Sequence, residues 1–146
     1  TPEALREAYR GQIEKQEALA RAASGKQCVE VRFDLVFQAL FAGKGVKSVS
    51  NETLRQVGMM LRACSTDESE LYPGALEVLD ALRGAGKQVF LLSNAQRLFT
   101  EPEMKRLGLW KRFDKIFISS ERGIKKPDPD YFRLAIQAAG VGRSAA

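Results

Sequence analysis

Apolar residues recur every three or four positions through the first half of the chain and crowd into short unbroken runs in the second. Leu5, Tyr9, Ile13 and Ala18-Leu19 form one stripe. It opens on Thr1-Pro2-Glu3, an N-cap, a proline at the first helical position and an acid in the first turn, and it breaks at Ser24-Gly25. A second helix is predicted from Val29 to Ala42, with Phe33, Val36, Phe37, Leu40 and Phe41 on one side and Gly43 after its end. Ser50 caps a third, whose apolar face is Leu54, Val57, Met60-Leu61 and Cys64. The first half therefore reads as all helix, and its aromatic and methionine positions as core rather than cofactor contacts.

The pattern changes after the polar break Thr66-Asp67-Glu68-Ser69-Glu70. Pro73-Gly74 opens a helix carrying Leu76, Val78-Leu79 and Leu82, closed by Gly84-Ala85-Gly86. Lys87 to Leu92 is a short buried-strand run, Glu101 to Leu107 a brief helix ended by Gly108, and Lys115 to Ser119 a second strand. Asp128 is an N-cap with Pro129 at the first helical position, and Phe132, Leu134-Ala135 and Ala138-Ala139 follow at helical spacing until Gly140. The order α-β-α-β-α requires crossover connections, hence a parallel sheet with helices on its faces. Two strands do not make a stable sheet alone, so the sheet is expected to continue in further sequence or in a partner.

Composition narrows the function classes. At 146 residues, 45% hydrophobic and 28% charged, the chain is ordinary globular material. It has no apolar run near the roughly 20 residues of a membrane helix and no signal-peptide pattern, so a cytoplasmic setting is expected. Cys28 and Cys64 lack metal-ligand spacing and are expected to be buried small apolar residues. With no histidine, Ser-His and Cys-His catalysis and His-ligated zinc are excluded. Residues 1–70 balance 10 Lys/Arg against 10 Asp/Glu, whereas residues 71–146 carry 13 against 8, so the whole net charge of +5 lies in the second half. The basic residues come in pairs separated by acids, without zinc-finger spacing or an aromatic-basic stripe. That distribution suits a small anionic substrate better than nucleic acid.

Two stretches could carry chemistry on such a ligand. Val89-Phe90-Leu91-Leu92 stops abruptly at Ser93-Asn94, which puts a hydroxyl, a side-chain amide and backbone N–H groups at a strand tip. The same dipeptide is also simply a good turn. Pro127 restricts Lys126 to an extended conformation, so its ammonium projects from a defined point and can neutralise a phosphoryl oxygen. A solvated lysine before a helix cap is the plainer alternative. Lys125, next along extended chain, is expected to point the other way. Asp128 and Asp130 fall in a first helical turn, where capping and the helix dipole account for them.

Leu91-Leu92-Ser93-Asn94 resembles the second motif of the haloacid dehalogenase superfamily, a hydrophobic strand ending in Ser or Thr. Gly123-Ile124-Lys125-Lys126-Pro127-Asp128-Pro129-Asp130-Tyr131-Phe132 resembles its third, lysine-bearing motif. Leu71-Tyr72-Pro73-Gly74-Ala75 is similar to the segment that re-enters the core after an inserted helical cap. Ser93 to Arg97 and Phe117 to Ser120 are similar to a branch of capped hydrolases. The resemblance implies an α/β fold, an incomplete Rossmann-like parallel sheet over residues 69–146 with a helical cap over 1–68. It implies that Ser93 hydrogen-bonds a transferring phosphoryl group with Asn94 beside it, and that Lys126 pairs with the nucleophile and the phosphoryl oxygens. It further implies an aspartate nucleophile, Mg²⁺ held by acids of the first and fourth motifs, and a small phosphorylated metabolite as substrate.

The first motif, Asp-x-Asp, is expected to precede residue 1, and the acidic fourth motif to follow Ala146. Asp34 lies in a helical pattern without a second acid and is not expected to be the nucleophile. The chain alone is therefore expected to be inactive. A dehalogenase of the same fold is the alternative reading, followed by a non-catalytic interaction protein; a nucleic-acid binder is the least favoured.

Overall fold

The computed structural model describes residues 1–65 and 69–140. Seven α-helices and two strands follow one another among those residues: α1 (Pro2–Ser24), α2 (Phe33–Ala42), α3 (Asn51–Ser65), α4 (Ala75–Gly84), β1 (Phe90–Ser93), α5 (Arg97–Arg106), a 3-10 turn (Trp110–Arg112), β2 (Lys115–Ile118), α6 (Ser119–Arg122) and α7 (Pro129–Ala139). The capping residues act as their types dictate. Thr1 Oγ1 accepts from Ala4 N at 3.3 Å, Ser50 Oγ from Thr53 N at 3.1 Å, and Asp128 Oδ1 from Asp130 N at 2.8 Å. Gly25 and Gly140 close α1 and α7 with φ of 70° and 68°, a left-handed conformation that only glycine adopts without strain.

β1 and β2 pair in parallel, with Phe90 opposite Lys115 and Ser93 opposite Ile118, so both carboxyl ends emerge on the same side. Tyr131, Ile118 and Val29 are fully buried and form the middle of the core. The leading helices pack in sequence, α1 on α2, α2 on α3, and α3 on α5. Tyr9 stacks on Phe37 and meets Phe33 edge-on, and Phe33 in turn meets Phe99 of α5. Arg62 Nε bonds Glu103 Oε1 at 2.5 Å, tying α3 to α5. Among the described residues no helix is long and apolar enough to cross a membrane.

Several boundaries differ from the hydrophobic pattern. The second helix starts at Phe33 rather than Val29, because Val29 and Val31 alternate with Glu30 in extended chain and bury their side chains. Val29 forms an isolated antiparallel bridge with Ile124, so the helical half does contain a strand-like segment. β1 begins at Phe90 rather than Lys87, since Lys87 N still donates to Leu82 O at 3.0 Å and belongs to the turn closing α4. β2 stops at Ile118, and Ser119 opens α6. α5 starts at Arg97, not Glu101: Phe99 N and Thr100 N both donate to Gln96 O at 3.0 Å, and Pro102 sits inside the helix.

Burial on the leading helices also departs from expectation. Leu5 and Leu19 of α1 are exposed, as are Met60 at 70% and Cys64 on α3. Cys28 is only half-buried. The buried face of α3 is Leu54 and Gly58, because Gly58 receives Leu98 of α5. A Cβ at position 58 would lie 2.4 Å from Leu98 Cδ2 and 3.0 Å from Leu98 Cγ. Gly58→Ala is therefore expected to cost about 1–3 kcal/mol despite the better helix propensity. Gly11→Ala, with nothing within 4 Å of the new methyl, is expected to gain about 1 kcal/mol. Urea unfolding of both variants reads the two opposite signs.

A candidate anion site at the strand tips

A parallel sheet leaves its strand carboxyl ends as a crevice bordered by the following helices, the usual ligand position in open α/β folds. Here β1 delivers Ser93 and Asn94 to that edge, and the loop after α6 brings Lys126 to the same place. Asn94 clasps the lysine backbone from both sides: Lys126 N donates to Asn94 Oδ1 at 2.7 Å, and Asn94 Nδ2 donates to Lys126 O at 3.0 Å. The Lys126 side chain turns back over the strand, and its Nζ donates to Leu92 O at 3.0 Å, next to Ser93. The Lys126–Pro127 peptide bond is cis. Ser93 and Lys126 are half-buried and Asn94 is exposed, so the cluster remains open to solvent.

The two neighbouring lysines serve different ends. Lys125 Nζ points to Glu17 Oε1 of α1 at 3.4 Å, which leaves Lys126 as the ammonium at the strand tip. Asn94 differs from the expected substrate contact in that its carbonyl and one N–H are already spent on the Lys126 backbone. One Nδ2 proton remains for a ligand.

Tyr131 holds the underside of the site. Its hydroxyl lies 2.8 Å from Ser93 O and 3.0 Å from Phe117 O, a donor placed between the ends of both strands. Burial pushes its pKa up to about 12, with the nearby Glu30 carboxylate acting in the same direction.

Asp128 and Asp130 take the capping positions expected of them and, in addition, grip Lys26 from the end of α1. Lys26 Nζ lies 3.0 Å from Asp128 Oδ2 and 2.5 Å from Asp130 Oδ2. Hydrogen bonds from Lys26 and then Arg133 hold the Asp130 carboxyl below its ordinary range. Asp34 sits in the first turn of α2, paired with Arg32. Among the described residues no group of three or more His, Cys, Asp or Glu side chains could hold a metal ion.

Sequence reasoning missed a buried polar group beside the site. Gln96 donates to Glu30 Oε1 at 3.1 Å and Val31 O at 2.8 Å, and accepts from Phe33 N at 3.0 Å. Ser119, fully buried, accepts from Ala95 N at 2.9 Å and lies 2.8 Å from Glu30 Oε2. The available signal was the Val29-Glu30-Val31 alternation, which places a carboxylate between two buried valines.

The pattern of the haloacid dehalogenase-like hydrolases matches residues 3–146. The chain belongs to that family. Its helices and parallel strand pair are those of a haloacid dehalogenase-like α/β core with a helical cap. This haloacid dehalogenase-like hydrolase is 34% identical over 79 residues to the phosphoglycolate phosphatase of Agrobacterium fabrum, covering 54% of this chain and 34% of that protein. It is 39% identical over 71 residues to the phosphoserine phosphatase of Thermus thermophilus, covering 49% of this chain and 28% of that protein. Its structure is similar to a solved dehalogenase in an intermediate complex, with a TM-score of 0.53, 26% identity, and coverage of 96% of this chain and 59% of that one. The chain spans about a third of the length of the curated relatives it matches.

Proposed function

We propose that the whole protein is a phosphatase acting on a small phosphate monoester, and that Ser93, Asn94 and Lys126 hold the transferring phosphoryl group. The observation that carries this reading is the Asn94 clasp on Lys126, with the ammonium folded back to Leu92 O beside Ser93. An ammonium, a hydroxyl and an amide N–H at one open strand tip match the oxygens of a phosphate dianion. Ser93 donates one hydrogen bond and the free Nδ2 proton of Asn94 another. Lys126 exchanges its carbonyl partner for a phosphoryl oxygen and neutralises charge as the ester bond breaks.

In the proposed reaction an aspartate attacks phosphorus, and the ester oxygen leaves as the alcohol after taking a proton. Water then hydrolyses the acyl phosphate, releasing inorganic phosphate and regenerating the carboxylate. Asp34, already paired with Arg32, is not assigned the attacking role. The Mg²⁺ expected for such chemistry does not fit the described residues, which lack a sufficient ligand cluster, and no step here depends on it. In the same reading, residues 1–68 form a cap that closes over the substrate and excludes water. A cytoplasmic setting and a phosphorylated metabolite, rather than nucleic acid, complete the proposal.

Hydrolysis of a carbon–halogen bond is the second reading, favoured by the likeness to the solved dehalogenase. Calorimetric titration of the purified chain separates the two. Inorganic phosphate is expected to bind at least about tenfold more tightly than 2-chloropropionate, because a dianion gains more from a fixed ammonium than a carboxylate does. Preference for the haloacid would reject the phosphatase reading.

A further inference from the structure

Glu30 bonds residues that flank the site, Gln96, Ser119 and Gly123, yet the proposed chemistry gives it no part. It lies in the extended segment between α1 and α2, where its backbone N–H donates to Gly123 O at 2.9 Å. Its Oε1 accepts from Gln96 Nε2 at 3.1 Å, and its Oε2 lies 2.8 Å from Ser119 Oγ. Both partners are buried and flank the peptide that follows Asn94. Ser119 Oγ accepts from Ala95 N at 2.9 Å and sits 3.1 Å from Ala95 O, while Ser120 N donates to the same carbonyl at 3.2 Å. A continuous line of contacts thus runs from Glu30 through Ser119 to Ala95, and so to the Asn94 clasp on Lys126. On the other side, the same segment is zipped to the lysine loop. Lys125 N donates to Cys28 O at 2.9 Å, and Val29 bridges Ile124.

We propose that Glu30 is a positioning residue for the strand-tip site: through Ser119 and Gln96 it fixes the Asn94–Ala95 peptide, and with it the orientation of Asn94 and Lys126. The segment leading into α2 thereby sets the geometry of the anion site, which couples the leading helices to the lysine. The role in phosphate binding rests on the phosphatase reading, but the clasp itself can be followed without any ligand.

The test compares Glu30→Ala with Glu30→Gln by NMR. Alanine removes the shared acceptor and leaves the Gln96 amide only Val31 O and the Ser119 hydroxyl only Ala95 O. Glutamine keeps an oxygen for Gln96 and presents its NH₂ to Ser119, whose proton can turn to Ala95 O. Hydrogen exchange of the Asn94 side-chain NH₂, referenced to the backbone amide of Leu54 in α3, separates local loosening from global destabilisation. Glu30→Ala is expected to speed Asn94 exchange about tenfold relative to Leu54 and to weaken inorganic phosphate binding about tenfold. Glu30→Gln is expected to restore both to near wild-type values. Ser119→Ala, which keeps the Glu30–Gln96 bond, is expected to move Asn94 in the same direction and decides the matter should Glu30→Ala not fold. Unchanged Asn94 exchange in folded Glu30→Ala or Ser119→Ala, or a glutamine variant as loose as the alanine one, would overturn the positioning role. Failure of wild-type protein to bind phosphate would count against the phosphatase reading alone, since the Asn94 exchange still decides the role of Glu30.

Discussion

Lys126→Ala is expected to weaken binding of inorganic phosphate about a hundredfold, the loss of a charge-assisted contact to a dianion. Lys125→Ala removes the same charge one position away and is expected to stay within about twofold of wild type, because the remaining effect is a screened surface field. The contrast follows from where the two ammonium groups lie. Lys126 Nζ reaches Leu92 O at 3.0 Å, whereas Lys125 Nζ is turned to Glu17 at 3.4 Å. Calorimetry at fixed ionic strength, with both variants at matched net charge, isolates position from charge. Equal losses in the two variants would mean that phosphate responds to the general basic field of residues 71–146 rather than to a built site.

The second large effect is on stability. Tyr131→Ala is expected to cost about 3–5 kcal/mol, since it empties a fully buried aromatic position and strips the donor from two strand-end carbonyls. Tyr131→Phe keeps the ring and isolates the hydroxyl, at an expected cost of about 1–3 kcal/mol. The hydroxyl also carries a pH signature. Folding keeps the phenol neutral up to about 12, while an unfolded tyrosine ionises near 10.0. Its contribution, on the order of 2 kcal/mol, is whole below pH 10 and is lost as pH rises to 12. Urea unfolding between pH 8 and pH 12 is thus expected to show a stability difference between wild type and Tyr131→Phe that shrinks in that window. A difference independent of pH would mean that the buried hydroxyl makes no such contribution.

The parts of this molecule readable from sequence are those whose cause is local. Asp128-Pro129 begins α7 and Gly140 ends it, because cap, proline and left-handed glycine act within a few residues. The apolar run ending at Ser93 forms β1, although its residues are half-buried rather than buried, and Asn94 after it is exposed. Lys125 and Lys126 send their ammonium groups to different partners, as expected, although Lys126 lies in a turn closed by Asp128 N donating to Lys125 O rather than in a plain extended run. What sequence did not disclose depends on partners distant in the chain. Val29 to Val31 is extended only because Ile124 and Gly123 supply the other side of a bridge. Gln96 is an unremarked polar residue in a turn until Glu30 and Val31 bury it. The inward face of α3 centres on Gly58, which has no side chain to register in an apolar pattern, so the pattern favours Met60 and Cys64 instead.

The phosphatase reading requires that the groups at positions 93, 94 and 126 share one ligand. A phosphate titration followed by NMR, with the Ser93 and Asn94 amides, the Asn94 side-chain NH₂ and the Lys126 ammonium monitored together, tests it most directly. All four signals are expected to move along one common saturation curve, while the Lys125 ammonium stays in place. Separate curves, or movement of lysine signals generally with Ser93 and Asn94 unmoved, would contradict it.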